Sequence, residues 1–179
     1  MSVESLLHMP SGKWEFDASV THCFDDMLQR SIPQLDVMRE LVTQLALLHV
    51  QPSTAVVDLG CSNGGALQPI ITRCHDKTCK FIGIETSTPM VDAAKLKLNN
   101  SIQHGSCTII PHDLRTGLPS LKYPPSVALA ILTLMFIPIN YRQSIVSQIY
   151  RQLEPGGVFV VVEKMLGDGA HIDSTFVSM

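Results

Sequence analysis

Five short apolar runs, each separated from the next by residues with helical spacing, are the feature that most restricts how this sequence can fold. The predicted strands cover residues 55–59, 80–84, 107–111, 127–133 and 158–163. Short runs without polar alternation are typical of strands that a parallel sheet buries on both faces. Strands that alternate with helices imply right-handed crossovers. We therefore predict an α/β, Rossmann-like fold with a parallel five-strand core and flanking helices.

Two amphipathic helices are predicted before the first strand. The first begins near Phe16 and is broken by Pro33, and the second begins near Leu35. The second carries an apolar side formed by Met38, Leu41, Val42, Leu45 and Leu48. The length of 179 residues suits one domain, which we place at residues 16–179 after a lead-in of residues 1–15.

A glycine-rich turn, residues 58–64, directly follows the first predicted strand. Glycines let the backbone turn tightly and approach a ligand without a Cβ clash. Ser62 replaces the middle glycine of the dinucleotide-binding pattern, and Asp58 precedes the glycines. An acidic residue there suits a cationic group, such as an ammonium or a sulfonium, better than a phosphate. The predicted binding residues of this turn are Asp58, Gly60, Cys61, Ser62 and Gly64.

Two more acidic residues end neighbouring strands. Glu85 ends the second strand, where a carboxylate can accept hydrogen bonds from both hydroxyls of a ribose. Asp113 follows the third strand, where its carboxylate can accept a hydrogen bond from the amino group of an adenine. The backbone N–H of Leu114 can donate to the adenine ring. Taken singly, Asp58 could belong to a chance turn, Glu85 to a solvated strand end and Asp113 to a helix cap. Together, at the carboxyl ends of parallel strands, the three favour one adenosyl ligand.

Composition and charge argue against several classes of function. A net charge of −3 offers no basic face, so direct nucleic-acid binding is not expected. The longest apolar run, residues 127–137, is too short to span a membrane. Five irregularly spaced cysteines favour a reducing compartment, and we expect a cytoplasmic protein. Cys74, His75 and Cys79 lack the paired spacing of zinc ligands, so no metal site is predicted.

Several stretches resemble the class I S-adenosylmethionine-dependent methyltransferase family, and more narrowly the bacterial carboxy-S-adenosylmethionine synthases of the tRNA wobble-uridine modification pathway. They are residues 14–17, 24–33, 57–64, 87–90, 149–157 and 163–164. The resemblance implies S-adenosyl-L-methionine as cofactor, with its methionine part at Gly60, Cys61 and Ser62. It also implies that Glu85 and Thr86 meet the ribose. By the same resemblance, Asp113 and Leu114 meet the adenine.

The chain departs from the narrower family at three points. Leu35 stands where the family typically has Tyr, Ile131 where it has Asn, and no Arg follows Arg151. Strands six and seven of the class I fold are also not recognisable after Lys164. Three functions stay open: a methyltransferase acting on a small molecule, a carboxy-S-adenosylmethionine synthase, and a shortened non-catalytic binder. The departures favour the first and third, no catalytic residue is assigned, and the open sheet edge predicts a homodimer.

Two further segments allow two interpretations each. Cys61 could be a nucleophile, but it has no paired His nearby in the sequence, which favours a small turn residue. Met135 and Phe136 could line a substrate pocket, but an apolar strand end in a packed core is favoured by burial statistics.

Overall fold

A computed structural model describes residues 15–76 and 78–165 of the chain. The strands are β1 (Ala55–Leu59), β2 (Lys80–Glu85), β3 (Cys107–Pro111), β4 (Pro125–Ile131) and β5 (Val158–Val162). The helices are α1 (Ala18–Ser31), α2 (Leu35–His49), α3 (Leu67–Arg73), α4 (Thr88–Lys97), α5 (Asn99–Gln103) and α6 (Ile139–Gln152). Two short 3₁₀ turns cover Leu114–Thr116 and Leu134–Phe136.

The five strands form one parallel sheet in the order β3-β2-β1-β4-β5, which confirms the predicted core. The chain starts at the central strand β1, adds β2 and β3 on one side, and then adds β4 and β5 on the other. The strand order therefore reverses direction at β1. In open α/β sheets, this reversal leaves a ligand-binding crevice outside the carboxyl ends of the strands.

Helices cover both faces of the sheet. α2, α3 and α4 contribute to one apolar cluster with the sheet, and α6 contributes to the cluster on the opposite face. α1 packs on α4 through Val20, Phe24 and Met90, and its first turn is capped by the carboxylate of Asp17. Within the described ranges, no helix has the length and apolarity that a membrane span requires.

The end of β4 and the buried side of α2 differ from the predictions for local reasons. β4 ends at Ile131 because Leu132 adopts a left-handed conformation with φ of 54°, which turns the backbone out of the strand. The predicted apolar side of α2 is only partly confirmed, since Val42 is buried and Met38 is partly buried, whereas Leu41, Leu45 and Leu48 are exposed. The smaller residues Thr43 and Ala46 are buried beside Val42. The Thr43 hydroxyl can be buried there because it donates to the backbone oxygen of Arg39.

Candidate functional site

A cavity of about 1300 Å³ lies at the carboxyl ends of the strands. Typical small-molecule sites measure roughly 300–1,000 Å³, so this cavity has room for two ligands side by side. All but one of the sequence-predicted site residues line it: Asp58, Gly60, Cys61, Ser62, Glu85, Thr86, Asp113 and Leu114. The strand tips thus present their side chains to one shared space.

Gly64 is the predicted residue that does not line the cavity. Its φ of +80° lies in the left-handed region, and a Cβ at this position would lie 2.9 Å from Cδ1 of Leu98. Gly64 therefore supports the turn by packing closely against the end of α4 rather than by facing the cavity.

Asp58 is a buried carboxyl that faces the cavity, and only 2% of the residue is exposed. No donor within residues 15–76 and 78–165 forms a hydrogen bond with it. Burial, with a smaller contribution from the nearby carboxylate of Glu85, raises the pKa of Asp58 to about 7. A buried acid without a partner is a suitable site for a cationic group of a ligand.

Glu85 joins the tip of β2 to the glycine-rich turn. Its Oε2 accepts from the backbone N–H of Ser62 at 2.9 Å, and its Oε1 accepts from the N–H groups of Thr86 and Ser87, both at 2.8 Å. A carboxylate has about four acceptor positions, so one remains, on Oε2. The contact of Glu85 with a ribose stays a prediction, and the free position can accept from one hydroxyl. The sequence did not reveal the structural role of Glu85, which is to accept from the backbone N–H groups of the turn and of its own strand end.

The backbone of the glycine-rich turn is close to Thr133, which follows β4. Gly60 has a φ of +70°, and a Cβ there would lie only 2.5 Å from Cγ2 of Thr133. Ser62 also has a positive φ, 48°, which is strained for a residue with a side chain. The turn is therefore held in a conformation that brings its backbone against the cavity.

Asp113 is already engaged by a neighbour. Its carboxylate accepts from the backbone N–H of Arg115 at 2.9 Å and from the guanidinium of the same residue. Hydrogen bonding from the side chain of Arg115 is the main reason that the pKa of Asp113 is lowered. Its contact with adenine stays a prediction and would share this carboxylate with Arg115.

A polar network links the glycine-rich turn to three helices. Asp25 on α1 accepts from Nδ2 of Asn63 at 3.1 Å and from Nζ of Lys97 at 3.0 Å, and it lies 3.9 Å from Nη2 of Arg39. Oδ1 of Asn63 is buried without a hydrogen-bond partner among the described residues. Asn63 and Arg39 line the cavity and were not predicted as site residues. The sequence did contain a signal for Arg39: it lies one helical turn after Leu35, on the same side of the predicted helix as a position where the chain departs from the resembled family.

Apolar side chains close the other half of the cavity. The ring of Phe16 packs edge-on against Phe136, with centroids 5.2 Å apart, and against Phe24 at 6.1 Å. Ser87 donates its hydroxyl to the backbone oxygen of Phe16, which ties this segment to α4. Met135 and Phe136 are 39% and 54% exposed and line the cavity, so the packed-core expectation is wrong, and their contact with a substrate stays a prediction. Both departures from the narrower family, Leu35 and Ile131, also line the cavity.

Cys61 is a poor nucleophile in this environment. It is 4% exposed, and burial, followed by the nearby Asp58 and Glu85, raises the pKa of its thiol. The thiolate is the reactive form of cysteine. The thiol occupies space beside Gly83, where a Cβ would lie 2.6 Å from its Sγ, which supports the interpretation as a small turn residue.

Solved structures share this fold. The S-adenosylmethionine-bound amino pentose methyltransferase CalS10 from Micromonospora echinaspora matches with a TM-score of 0.64 at 16% identity, covering 90% of this chain and 61% of that one. A methyltransferase from Geobacter sulfurreducens, in complex with S-adenosyl-L-homocysteine, matches with a TM-score of 0.54 at 23% identity, covering 74% and 52%. At these identities the likeness concerns the fold.

Sequence comparisons identify the family. Residues 56–157 match the methyltransferase domain family. A carboxy-S-adenosyl-L-methionine synthase from Enterobacter sp. (strain 638) is 34% identical over 168 residues, covering 94% of this chain and 67% of the relative. One from Shigella boydii serotype 4 is 32% identical with the same coverage. The chain therefore belongs to the S-adenosylmethionine-dependent methyltransferase family, in the group that includes the carboxy-S-adenosyl-L-methionine synthases.

Proposed function

We propose that this chain binds S-adenosyl-L-methionine at its strand tips and transfers the methyl group to a small molecule. The observation that carries the proposal is the meeting of Asp58, Glu85 and Asp113 in one cavity with the glycine-rich turn. Each acid corresponds to a different part of the cofactor, in the order cationic end, ribose and adenine. The volume of about 1300 Å³ leaves space for an acceptor beside it.

The residues present fit this cofactor. The Asp58 carboxyl is buried, faces the cavity and lacks a donor within the described ranges, so it can balance the charge of a sulfonium or an ammonium. The free acceptor position on Glu85 can take a ribose hydroxyl. Thr86 and Leu114 line the cavity beside the predicted ribose and adenine positions.

S-adenosylmethionine supplies an activated methyl group, because its sulfonium makes the thioether product a good leaving group. Bound S-adenosylmethionine would donate this methyl group to a lone pair of the acceptor, the S–CH₃ electron pair would stay on sulfur to give S-adenosylhomocysteine, and a proton on the acceptor would pass to solvent. The protein then has to orient both molecules and exclude water. Phe16, Phe136 and Met135 are the apolar lining residues that would contribute to excluding water around the bound molecules. We assign no catalytic base to this chain.

A second candidate function, carboxy-S-adenosyl-L-methionine synthesis, is favoured by the named relatives. The chain covers about two thirds of their length. Leu35 and Ile131 count against it, since the cavity wall offers two hydrocarbon side chains where that family typically has a hydroxyl and an amide. A third candidate is a shortened, non-catalytic binder of the cofactor.

Mass spectrometry of small molecules released from the purified protein tests the three candidates. Unmodified S-adenosylmethionine or S-adenosylhomocysteine supports the methyltransferase, and the carboxylated cofactor supports the synthase. Transfer of a labelled methyl group from added S-adenosylmethionine to a small-molecule extract separates an enzyme from a binder. A protein that retains neither cofactor and binds neither when titrated would contradict cofactor binding altogether.

The proposal extends to partners and location. We infer a small-molecule acceptor and no direct nucleic-acid contact, because the net charge is −3. We infer a cytoplasmic location because all five cysteines are free thiols. We also infer a homodimer, because the outer edge of β5 pairs with no strand in the described part of the chain. A monomeric mass by light scattering would contradict the dimer.

A further inference from the structure

Arg39 on α2 is a partly buried guanidinium at the cavity. Its side chain is 28% exposed. The nearest carboxylate, that of Asp25, lies 3.9 Å away, beyond hydrogen-bond distance, and already accepts from Asn63 and Lys97. No residue in the described ranges accepts a hydrogen bond from the Arg39 guanidinium. An arginine has five N–H donors, so this side chain has its donors available for a ligand.

The side chain of Asn63 supplies a second unused group. The residue is 6% exposed and lines the cavity, and its Oδ1 has no partner among the described residues, while its Nδ2 is held by Asp25. Gly65 lies between the two groups. A Cβ built on Gly65 would be 3.1 Å from Nη2 of Arg39 and 3.2 Å from Oδ1 of Asn63. A cationic donor and a neutral acceptor therefore flank a residue with no side chain.

We propose that Arg39 and Asn63 bind the amino-acid end of the cofactor: Arg39 binds its carboxylate and Oδ1 of Asn63 accepts from its ammonium. This inference rests on the proposed function. An α-amino acid carries both charged groups on one carbon, which matches a donor and an acceptor placed around the same point. A planar guanidinium also binds a carboxylate through two parallel hydrogen bonds.

The other cations of the cavity are engaged or exposed. Arg115 is paired with Asp113. Arg142 donates to the backbone oxygens of Ile137 and Met135, which fixes the 3₁₀ turn before α6. Lys164 lines the cavity and is exposed to solvent. Among the described guanidinium groups at the cavity, Arg39 is the one whose donors are unused.

Binding of two ligands tests the assignment. S-adenosylhomocysteine and 5′-methylthioadenosine share the adenosyl thioether, but only the first has an amino-acid end. Calorimetric titration of the full chain should show that R39A weakens S-adenosylhomocysteine binding by roughly ten- to hundredfold, the effect of losing hydrogen bonds to a charged group. Binding of 5′-methylthioadenosine should be unchanged. R39K, which keeps the charge without the planar fork, should lie between wild type and R39A.

R73A is the matched control, because Arg73 is an exposed arginine that pairs with Glu40 away from the cavity. It should leave both affinities unchanged. Equal weakening of both ligands by R39A would show a general effect on the fold and would overturn the assignment, as would no weakening of either. If the wild-type chain binds neither ligand, the proposed function itself fails, which is a different result from the loss of the amino-acid contact alone.

Discussion

The backbone N–H of Ser62, which follows β1, donates to Oε2 of Glu85, the last residue of β2, at 2.9 Å. Ser62 has a φ of 48°, and residues with a side chain rarely adopt this conformation unless their surroundings fix it. Glu85 provides that restraint from the tip of β2 and also accepts from Thr86 and Ser87. The carboxylate predicted to meet the ribose is thus also the group that shapes the glycine-rich turn.

Replacing Glu85 with Gln should therefore affect both stability and binding. The amide has one acceptor oxygen for three N–H donors, and its NH₂ group would face at least one of them. We expect the free energy of unfolding to fall by about 1–3 kcal/mol, the range for leaving buried polar groups unpaired. S-adenosylhomocysteine should bind at least about tenfold more weakly, by the same loss.

Urea denaturation and calorimetric titration measure these two effects. E40Q is the control, because Glu40 is an exposed acid on α2 that pairs with Arg73 outside the cavity. It should change neither quantity by much. Weaker binding in E85Q at wild-type stability would assign Glu85 to the ligand alone and contradict the dual role.

The sheet and the strand-tip acids could be predicted from sequence because both follow from local patterns. Apolar runs mark the strands, and the rule that parallel strands end at one edge places Asp58, Glu85 and Asp113 together. The structure confirms five parallel strands and brings these three residues to one cavity. Here, sequence order and strand direction alone determine the position.

The remaining features depend on contacts between residues far apart in the chain. The proximity of Arg39 to Gly65 results from how α2 packs on the sheet, and the sequence pattern placed three exposed leucines, Leu41, Leu45 and Leu48, on the buried side of that helix. The left-handed φ of Leu132, which shortens β4, has no glycine or asparagine to signal it. Such positions are set by tertiary packing, which local periodicity does not contain.

Stability of the unliganded protein should decrease as pH rises between about 4 and 7. Burial, and then Glu85, raise the pKa of Asp58 from its ordinary value of 3.8 to about 7. Between these values the folded state binds more protons than the unfolded state, so the free energy of unfolding falls with rising pH. Urea denaturation at pH 5, 6, 7 and 8 measures this slope.

D58N isolates this effect, because asparagine has nearly the same shape and no charge. The variant should be more stable than wild type at pH 8 by a few kcal/mol, since one pKa unit corresponds to about 1.4 kcal/mol. The difference should shrink toward pH 5, where Asp58 is protonated. A wild-type slope that persists in D58N would assign the titration to another group.

Affinity for S-adenosylmethionine should show the opposite dependence on pH. A cationic ligand favours ionised Asp58, and below a pH of about 7 binding must first remove the proton from this carboxyl. The affinity should therefore rise by up to about tenfold per pH unit between pH 5 and 7 and then level off. Titrations at fixed ionic strength test this, and D58N should bind weakly with little dependence on pH. A flat profile for wild type would place the cation elsewhere.

Comparing Gly60 with Gly105 separates two costs of adding a side chain, the strain of a left-handed backbone and the clash with a neighbouring residue. Gly105 has nearly the same φ, +69° against +70°, but a Cβ on Gly105 would meet nothing within 4 Å, whereas a Cβ on Gly60 would lie 2.5 Å from Cγ2 of Thr133. G105A should therefore lower the free energy of unfolding only by the left-handed penalty of about 1–2 kcal/mol, with cofactor binding unchanged.

G60A should be less stable than G105A and should lose cofactor binding, because relieving the clash moves the turn or Thr133. Adding T133A to G60A removes the contacting methyl group and should restore part of the stability, as measured by urea denaturation. Equal losses in G60A and G105A would mean that Thr133 does not constrain the turn, and the close approach of Thr133 to Gly60 would then have no energetic role.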